Sequence, residues 1–424
     1  MKGAQAVDVV VIGAGQAGLS TSYHLKQQGI GHVVLEQDRI GESWRTGRWD
    51  SFRLVTPNWT VQLPGFPYQG PDADGFMGRD EVVSYLDSYA ALFELPVETA
   101  SRVTAVDKTP DGGFSVQTAD TTLAARAVVI ATGSYRRPKL PPFAPQLPLD
   151  VFQAHSSEYR TPAQLPEGAV LVVGSGQSGA QIAEELHEAG RRVFLSVSRC
   201  GRVPRRYRGR DIVWWGKMGG LYERTVDQLE SPAEKTACHP QCSGRRGGHD
   251  IYMRQLARDG VRLLGRVSSI AGGVLTIAPD LGENLRKADE FAENVLKQLD
   301  EAVAKMGMPL PEDQNPRGIG APVPDEVDLI RELDLAKAGI VTVIWATGYR
   351  VDFSFVKLPV FDQSGQPVQR QGVTSVLDLY FVGLEWLHKP KSGLLLGVGE
   401  DAEHIASVIA RTAKSESQEA EAPV

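Results

Sequence analysis

Cysteine is scarce, with three residues in 424. A chain of this length held by disulfides would carry more, so the scarcity argues against a disulfide framework and points to a reducing compartment. Long apolar runs are lacking too, and none reaches the roughly 20 residues that cross a bilayer. The first apolar stretch, residues 7–12, runs straight into glycines, which makes it a core strand rather than a secretion signal. Net positive charge is also missing. The formal net charge is −7, which argues against general nucleic-acid binding. The remaining composition is that of an ordinary soluble protein, expected in the cytoplasm, and the length suits two or three domains.

What is present is a pattern of glycines. Val7-Asp8-Val9-Val10-Val11-Ile12-Gly13-Ala14-Gly15-Gln16-Ala17-Gly18 reads as a buried strand, a glycine turn and the first turn of a helix. Gly13 permits the tight turn, Gly15 lets the backbone approach a pyrophosphate, and Gly18 lets helix and strand pack closely. Free N–H groups and the positive dipole end of the helix then face the phosphates. The helix pattern stops at Gly29, and a second strand, residues 32–35, ends on Glu36. A carboxylate there is placed to accept from a ribose 2′-OH.

The same pattern recurs after a proline-rich stretch, residues 138–166, that reads as an interdomain connector. Residues 169–173 form the strand, Gly174-Ser175-Gly176-Gln177-Ser178-Gly179 the turn, and residues 180–189 the helix. Its second strand, 193–197, ends on Ser198-Arg199 instead of an acid. Serine and arginine bind a 2′-phosphate that a carboxylate would repel, and such a charge-assisted contact contributes on the order of 1.5–3 kcal/mol. The first turn thus suits a nucleotide with a free 2′-OH and the second suits NADP. Arg202, Arg205 and Arg206 either add to this field or form a solvated basic face.

Elsewhere, Trp44-Arg45 and residues 49–59 mix indoles, arginines and small polar groups, as the wall of a flat aromatic cofactor would. Asn58 is the candidate polar side chain near that cofactor, or else a turn residue after Pro57. A helix from residue 78 to about 93 and strands at 103–106 and 114–117 follow. The strand at 128–130 then runs into Ala131-Thr132-Gly133, and Ala346-Thr347-Gly348 echoes that turn after the strand 340–345. Residues 281–306 carry a helical apolar repeat that suits a core or a dimer surface more than a catalytic element. Trp214-Trp215 suits a substrate pocket, a lid or a subunit contact. A last helix is expected from about 400 to 411, then a disordered acidic tail, 413–424.

Taken as a set, these motifs resemble the flavin-containing monooxygenases, the single-component FAD and NADPH class of two-dinucleotide-binding-domain flavoproteins. The resemblance rests on both glycine turns, Glu36, Trp44-Arg45, Arg199 and Ala346-Thr347-Gly348-Tyr349. It implies an α/β fold of two Rossmann-like domains, the NADPH domain (166–345, with an inserted region at 211–324) set within the FAD domain (1–165 and 346–412). It assigns FAD to Gly13, Gly15, Gln16, Ala17, Gly18, Glu36, Gln37, Trp44, Arg45, Val103, Ala131, Thr132 and Gly133. NADPH falls to Gly174 through Gly179, Ser198 and Arg199, with Ala346, Thr347 and Gly348 closing the site. Asn58 and Arg45 are the catalytic candidates.

The implied activity is formation of a flavin C4a-(hydro)peroxide from O₂ and oxygenation of a small molecule, of N-, S- or Baeyer–Villiger type; the alternative is an NADPH oxidoreductase or diaphorase without oxygen insertion. The family's linker signature is altered here. Leu149 and Val151 stand where phenylalanine and glycine are expected, and His155 is read as a linker organiser. A disulfide reductase would need a redox dithiol against the flavin, and the one close pair, Cys238 and Cys242, lies in the insert. Cys238, His239, Cys242 and His249 do not have the spacing of a standard zinc set, and no metal is expected. A homodimer is allowed by the amphipathic repeat.

Overall fold

The run Val9-Val10-Val11 is apolar at every position because the sheet it enters is covered on both faces. Val9 and Val11 belong to one core cluster and Val10 and Ile12 to another, each side chain almost wholly buried. Alternation of side chains along a strand requires this, and parallel strands with helices and loops on both faces show it as a continuous hydrophobic run. The computed structural model describes residues 5–307, 311 and 330–421, and its fold is α/β.

Two parallel sheets dominate. In the first, Gln5–Ile12 pairs on one side with His32–Leu35 and on the other with Thr122–Ile130, with Val10 opposite Val33 and Val128. Leu379–Phe381 then pairs in parallel with Thr122–Ile130, so this sheet takes strands from both ends of the chain. The antiparallel strands Val103–Lys108 and Phe114–Thr118 hang from Thr122–Ile130. Helices Gln16–Gln27, Arg79–Leu92 and Val398–Glu421 cover one face.

The second sheet has the order Phe152–His155, Ile340–Trp345, Ala169–Val173, Val193–Ser196, Arg262–Leu264, every pair parallel. Its central strand is again buried on both faces, Val170 and Val172 in one cluster and Leu171 and Val173 in the other. The proline-rich connector supplies Phe152–His155 as its edge strand, so the chain reaches this sheet before residue 166. Among the described residues no helix is long and apolar enough to cross a membrane.

One expectation is corrected. The last helix does not end near 411 with a disordered tail from 413; it spans Val398–Glu421. Residues 413–421 contain alanine, lysine, glutamate and glutamine, good helix formers, with neither glycine nor proline to stop them; residues 422–424 lie outside the described part. The insert also has order of its own. Helix Leu281–Met306 packs Leu281 and Leu285 on the second sheet's core, and further along the same apolar stripe Val295 and Leu299 face a cavity.

Candidate functional site

Both glycine turns are built alike. Gly13 donates to Leu35 O at 2.8 Å, Gly174 to Ser196 O at 3.1 Å, and each adopts a φ near +106°, at +107° and +105°. Each turn is backed by the other motif. Ala131 donates to Ile12 O and Ala346 to Val173 O, both at 2.9 Å. A Cβ on Gly13 would lie 2.8 Å from Ala131 O, and one on Gly174 would overlap Ala346 O. Gly18 and Gly179 press on the carbonyls of Gly13 and Gly174, where a Cβ would also overlap. The Ala-Thr-Gly echo in the sequence is therefore a packing echo, one such turn behind each glycine turn.

The two turns open on one cavity of about 2320 Å³, more than twice the roughly 300–1,000 Å³ of a single small-molecule pocket. From the first turn, Gly13, Gly15, Gln16 and Ala17 line it, followed by Glu36, Gln37, Trp44 and Val103, and Ala131-Thr132-Gly133. From the second come Gly176, Gln177 and Ser178, with Ala346 and Gly348. Gly18, Gly174, Ser175, Gly179, Ser198, Arg199 and Thr347 stand behind or beside this wall. Glu36 is 8% exposed and accepts from Ala14 N at 2.7 Å and Asp38 N at 3.1 Å. Burial pushes its carboxyl above the ordinary range, against those two hydrogen bonds.

Two features of the first turn fit a bound dinucleotide. A Cβ on Gly15 would meet nothing within 4 Å, so the backbone there is bare toward the cavity. Thr132 Oγ1, in the cavity wall, is buried without a hydrogen-bond partner. Gln37 Oε1 accepts from Arg136 at 3.3 Å, which brings a cation to the same end.

The catalytic candidates have other work. Arg45 pairs with Asp87 at 2.5 Å and donates to Ile40 O at 3.0 Å, away from the cavity wall. Asn58 is buried and uses its amide on backbone, donating to Asp72 O at 2.9 Å and accepting from Met77 N at 2.7 Å. It fixes the loop 58–77, the structural role left open by the sequence. The cavity instead receives Arg48, whose guanidinium lies 5.2 Å from the Trp44 ring and 5.6 Å from those of Phe52 and Tyr135. Trp44 is itself fixed by Gln16, its Nε1 donating to Gln16 Oε1 at 3.0 Å.

Tyr135, Glu385 and His239, none of them assigned a role from motifs, meet in the cavity wall. The Tyr135 hydroxyl donates to Glu385 Oε1, and His239 Nε2 lies 3.5 Å from the same oxygen. Burial would raise the Glu385 carboxyl, yet its bonds to His239 and Tyr135 hold it below the ordinary value, and the same bond raises His239. No motif flags these residues because they come from segments 104 and 146 residues apart (135, 239, 385). The one sequence signal is proximity to motifs, Tyr135 two residues after Gly133 and Glu385 two after Gly383.

The basic cluster sorts by partner. Arg202 pairs with Asp289 at 2.9 Å, Arg205 with Asp211, and Arg206 bonds the carbonyls of Gly247 and Gly248. Arg199 is 74% exposed with Glu283 3.9 Å away, free to take an anion. Ser198 N donates to Ser175 Oγ at 3.0 Å, tying the end of the strand to the second turn. His155 bonds Gly348 O at 3.0 Å and Ser157 Oγ at 2.9 Å, so the linker is organised onto the second Ala-Thr-Gly turn.

The insert closes the cavity's far side. Trp215, Leu221 and Tyr222 line it with Phe291, Val295 and Leu299 of helix Leu281–Met306, whose Leu281 and Leu285 are core as its repeat suggested. Trp214 lies outside this lining, its ring 5.2 Å from Arg210. Glu223 binds Lys389 at 2.7 Å and also Lys391, and Val226 donates to His388 O, which anchors this wall to the segment before the last helix.

The cysteines depart from the sequence reading. Cys200 and Cys238 form a disulfide, and Cys242 is a buried free thiol. Spacing gave no hint of a pair 38 residues apart. Among the described residues no three His, Cys, Asp or Glu side chains group as metal ligands. His249 binds Glu184 instead, at 2.7 Å, and that bond holds its imidazole above the ordinary 6.5. A raised folded-state value contributes stability in full below pH 6.5 that fades as pH rises through it. The wild type should therefore exceed His249→Gln in thermal stability most at low pH. A gap that widens toward alkaline pH, in unfolding curves taken across the range, would contradict this.

Comparison with known proteins gives the relatives of this chain. A pyridine nucleotide-disulphide oxidoreductase family model matches residues 10–207. A CzcO-like oxidoreductase of Geobacillus kaustophilus (strain HTA426) is 36% identical over 95% of this chain and 98% of its own length. Indole-3-pyruvate monooxygenase YUCCA1 of Oryza sativa subsp. japonica is 31% identical over 44% of this chain and 47% of its own. The fold is shared with a flavin-containing monooxygenase from Stenotrophomonas maltophilia at a TM-score of 0.63 and 24% identity, over 96% of this chain and 99% of that one. With two glycine turns on one cavity and a relative matched end to end, the chain belongs to the CzcO-like oxidoreductases.

Proposed function

We propose that the protein is a monooxygenase that holds FAD at the first glycine turn and NADPH at the second, and oxygenates a small organic molecule at nitrogen, sulfur or a carbonyl carbon. The observation that carries this reading is the single cavity onto which both turns open. Each parallel sheet then serves one dinucleotide as a Rossmann-like domain, the NADPH domain (166–345) set within the FAD domain (1–165 and 346–412). When bound, FAD reduced by hydride from NADPH supplies the oxygen activation.

The chain's own residues bind, orient and exclude water. Gly15 and the N-terminus of Gln16–Gln27 receive the FAD pyrophosphate, and Glu36 takes the ribose. Arg199 and Ser198 meet the NADPH 2′-phosphate. Trp44, Phe52, Trp215 and Leu299 keep the space between them apolar. Arg48 holds a fixed positive charge at that space, and Glu385 holds protons on Tyr135 and His239 at its edge.

The test is the fate of oxygen. Purified protein should be yellow, release FAD on denaturation, and incorporate label from ¹⁸O₂ into an amine, sulfide or ketone in proportion to NADPH consumed. A colourless protein that takes up no FAD overturns the reading. NADPH oxidation matched by hydrogen peroxide, with no labelled product from any of the three substrate classes, turns it into the diaphorase alternative.

A further inference from the structure

The two glycine turns differ at one neighbour. A Cβ on Gly15 would meet nothing within 4 Å, whereas one on Gly176 would meet Cys238 Sγ at 3.4 Å. That sulfur is bonded to Cys200, with the two Cα atoms 5.3 Å apart, inside the span a disulfide bridges. Cys200 is buried and follows directly on Ser198-Arg199; Cys238 is exposed and opens a strap, residues 238–243. Further along, the strap is held without the disulfide. Gln241 N donates to Gly201 O at 2.8 Å, Gln177 Nε2 to Pro240 O at 2.9 Å, and Gln181 Nε2 to Cys242 O at 3.2 Å. Its leading end, Cys238-His239, carries the sulfur over the turn. The disulfide thus joins the loop beside Arg199 to a strap whose sulfur stands beside the middle glycine of the second turn, in the same cavity wall, where the backbone of such a turn must lie bare for a pyrophosphate.

We propose that Cys200–Cys238 is a reversible thiol–disulfide site that accepts electrons from dithiols, and that its oxidised form holds the strap on Gly176 and weakens dinucleotide binding there. The coupling rests on the assignment of this turn to NADPH. In reduction, a dithiol thiolate attacks the exposed Cys238 sulfur, the S–S bond breaks, and Cys200 leaves as a thiolate that takes a proton. The reductant's second thiol then displaces Cys238, leaving two protein thiols and the reductant as its disulfide. Hydrogen peroxide reverses the change. The Cys238 thiolate attacks one peroxide oxygen to give a sulfenic acid and hydroxide, which takes up the proton the thiol had lost and leaves as water; the Cys200 thiol then attacks that sulfur, closing the bond and releasing a second water. Peroxide formed whenever NADPH oxidation outruns oxygen insertion would then slow further NADPH uptake.

The experiment compares air-purified, full-length flavin-loaded protein with the same protein treated with dithiothreitol and desalted. Maleimide labelling after denaturation should count one thiol, Cys242, in the first and three in the second, and intact mass should differ by two hydrogens. Calorimetric titration with NADP⁺ should give a Kd roughly fivefold lower after reduction, and hydrogen peroxide should restore the weaker value. Cys238→Ser and, independently, Cys200→Ser should bind as the reduced protein does under both conditions. Three labelled thiols before reduction, or an NADP⁺ affinity equal in the two states or tighter in the oxidised one, overturns the proposal. If NADP⁺ binds in neither state while labelling still counts one thiol and then three, the cysteine pair stands and the assignment of the turn falls, and with it the coupling.

Discussion

Gly15→Leu is expected to yield a colourless protein that still folds. Gly15 has φ −85° and ψ −173°, a conformation any residue adopts, and a Cβ there would meet nothing within 4 Å. The new side chain therefore strains no protein neighbour. It occupies the approach to the free N–H groups of Gln16–Gln27, where a pyrophosphate would bind. FAD affinity should fall by more than roughly 100-fold, about 2.7 kcal/mol. Flavin absorbance per protein and circular dichroism read the two halves of the claim separately. Gly18→Ala is the contrast. Its Cβ would overlap Gly13 O, and strain of this kind costs about 1–3 kcal/mol, visible as a lower unfolding temperature. A Gly15→Leu protein as yellow as the wild type would remove FAD from the first turn.

Arg199→Ala should raise the KM for NADPH by roughly 10- to 100-fold, the equivalent of about 1.5–3 kcal/mol for a charge-assisted contact. The KM for NADH should stay nearly unchanged, since NADH has no 2′-phosphate. The structure sharpens this expectation by removing the alternatives, for Arg202, Arg205 and Arg206 are each held by a carboxylate or by carbonyls. Arg199, at 74% exposure, has only a 3.9 Å contact with Glu283. Steady-state kinetics with both nucleotides decides it. Equal impairment with NADPH and NADH would make Arg199 a structural residue.

What was legible in the sequence was local. A strand, a glycine turn and a helix occupy consecutive residues, so Gly13 through Gly18 and Gly174 through Gly179 announce their geometry by spacing alone. Helix Leu281–Met306 matched its apolar repeat at both ends. What it faces was hidden, because periodicity reports an apolar stripe and not whether a sheet or a cavity lies opposite. Arg45 and Arg48 illustrate the same limit. Both stand among the aromatics after Glu36, and only the path of the short helix Glu42–Thr46 turns Arg45 toward Asp87 and leaves Arg48 to the rings. Asn58 looked polar and well placed, but a loop with unpaired backbone groups needed its amide first. Cys200 with Cys238, and Tyr135 with Glu385, are meetings of distant segments that spacing does not encode.

The split origin of the first sheet has a consequence for synthesis. Thr122–Ile130 gains its neighbour Leu379–Phe381 only after roughly 250 further residues are made, on the order of 10–50 s at ribosomal speeds. Until then only the first half of that edge is paired, with Phe114–Thr118, and the apolar residues Val128, Val129 and Ile130 have no partner on that side; an open edge of that kind invites pairing with other chains. The second sheet lacks an interior strand over much of the same interval, since Ile340–Trp345 lies between Phe152–His155 and Ala169–Val173. Neither half can finish before these late strands are made, and the two close within about 40 residues of each other. Soluble yield should therefore depend on growth temperature and on chaperone supply more steeply than the stability of the finished protein would suggest.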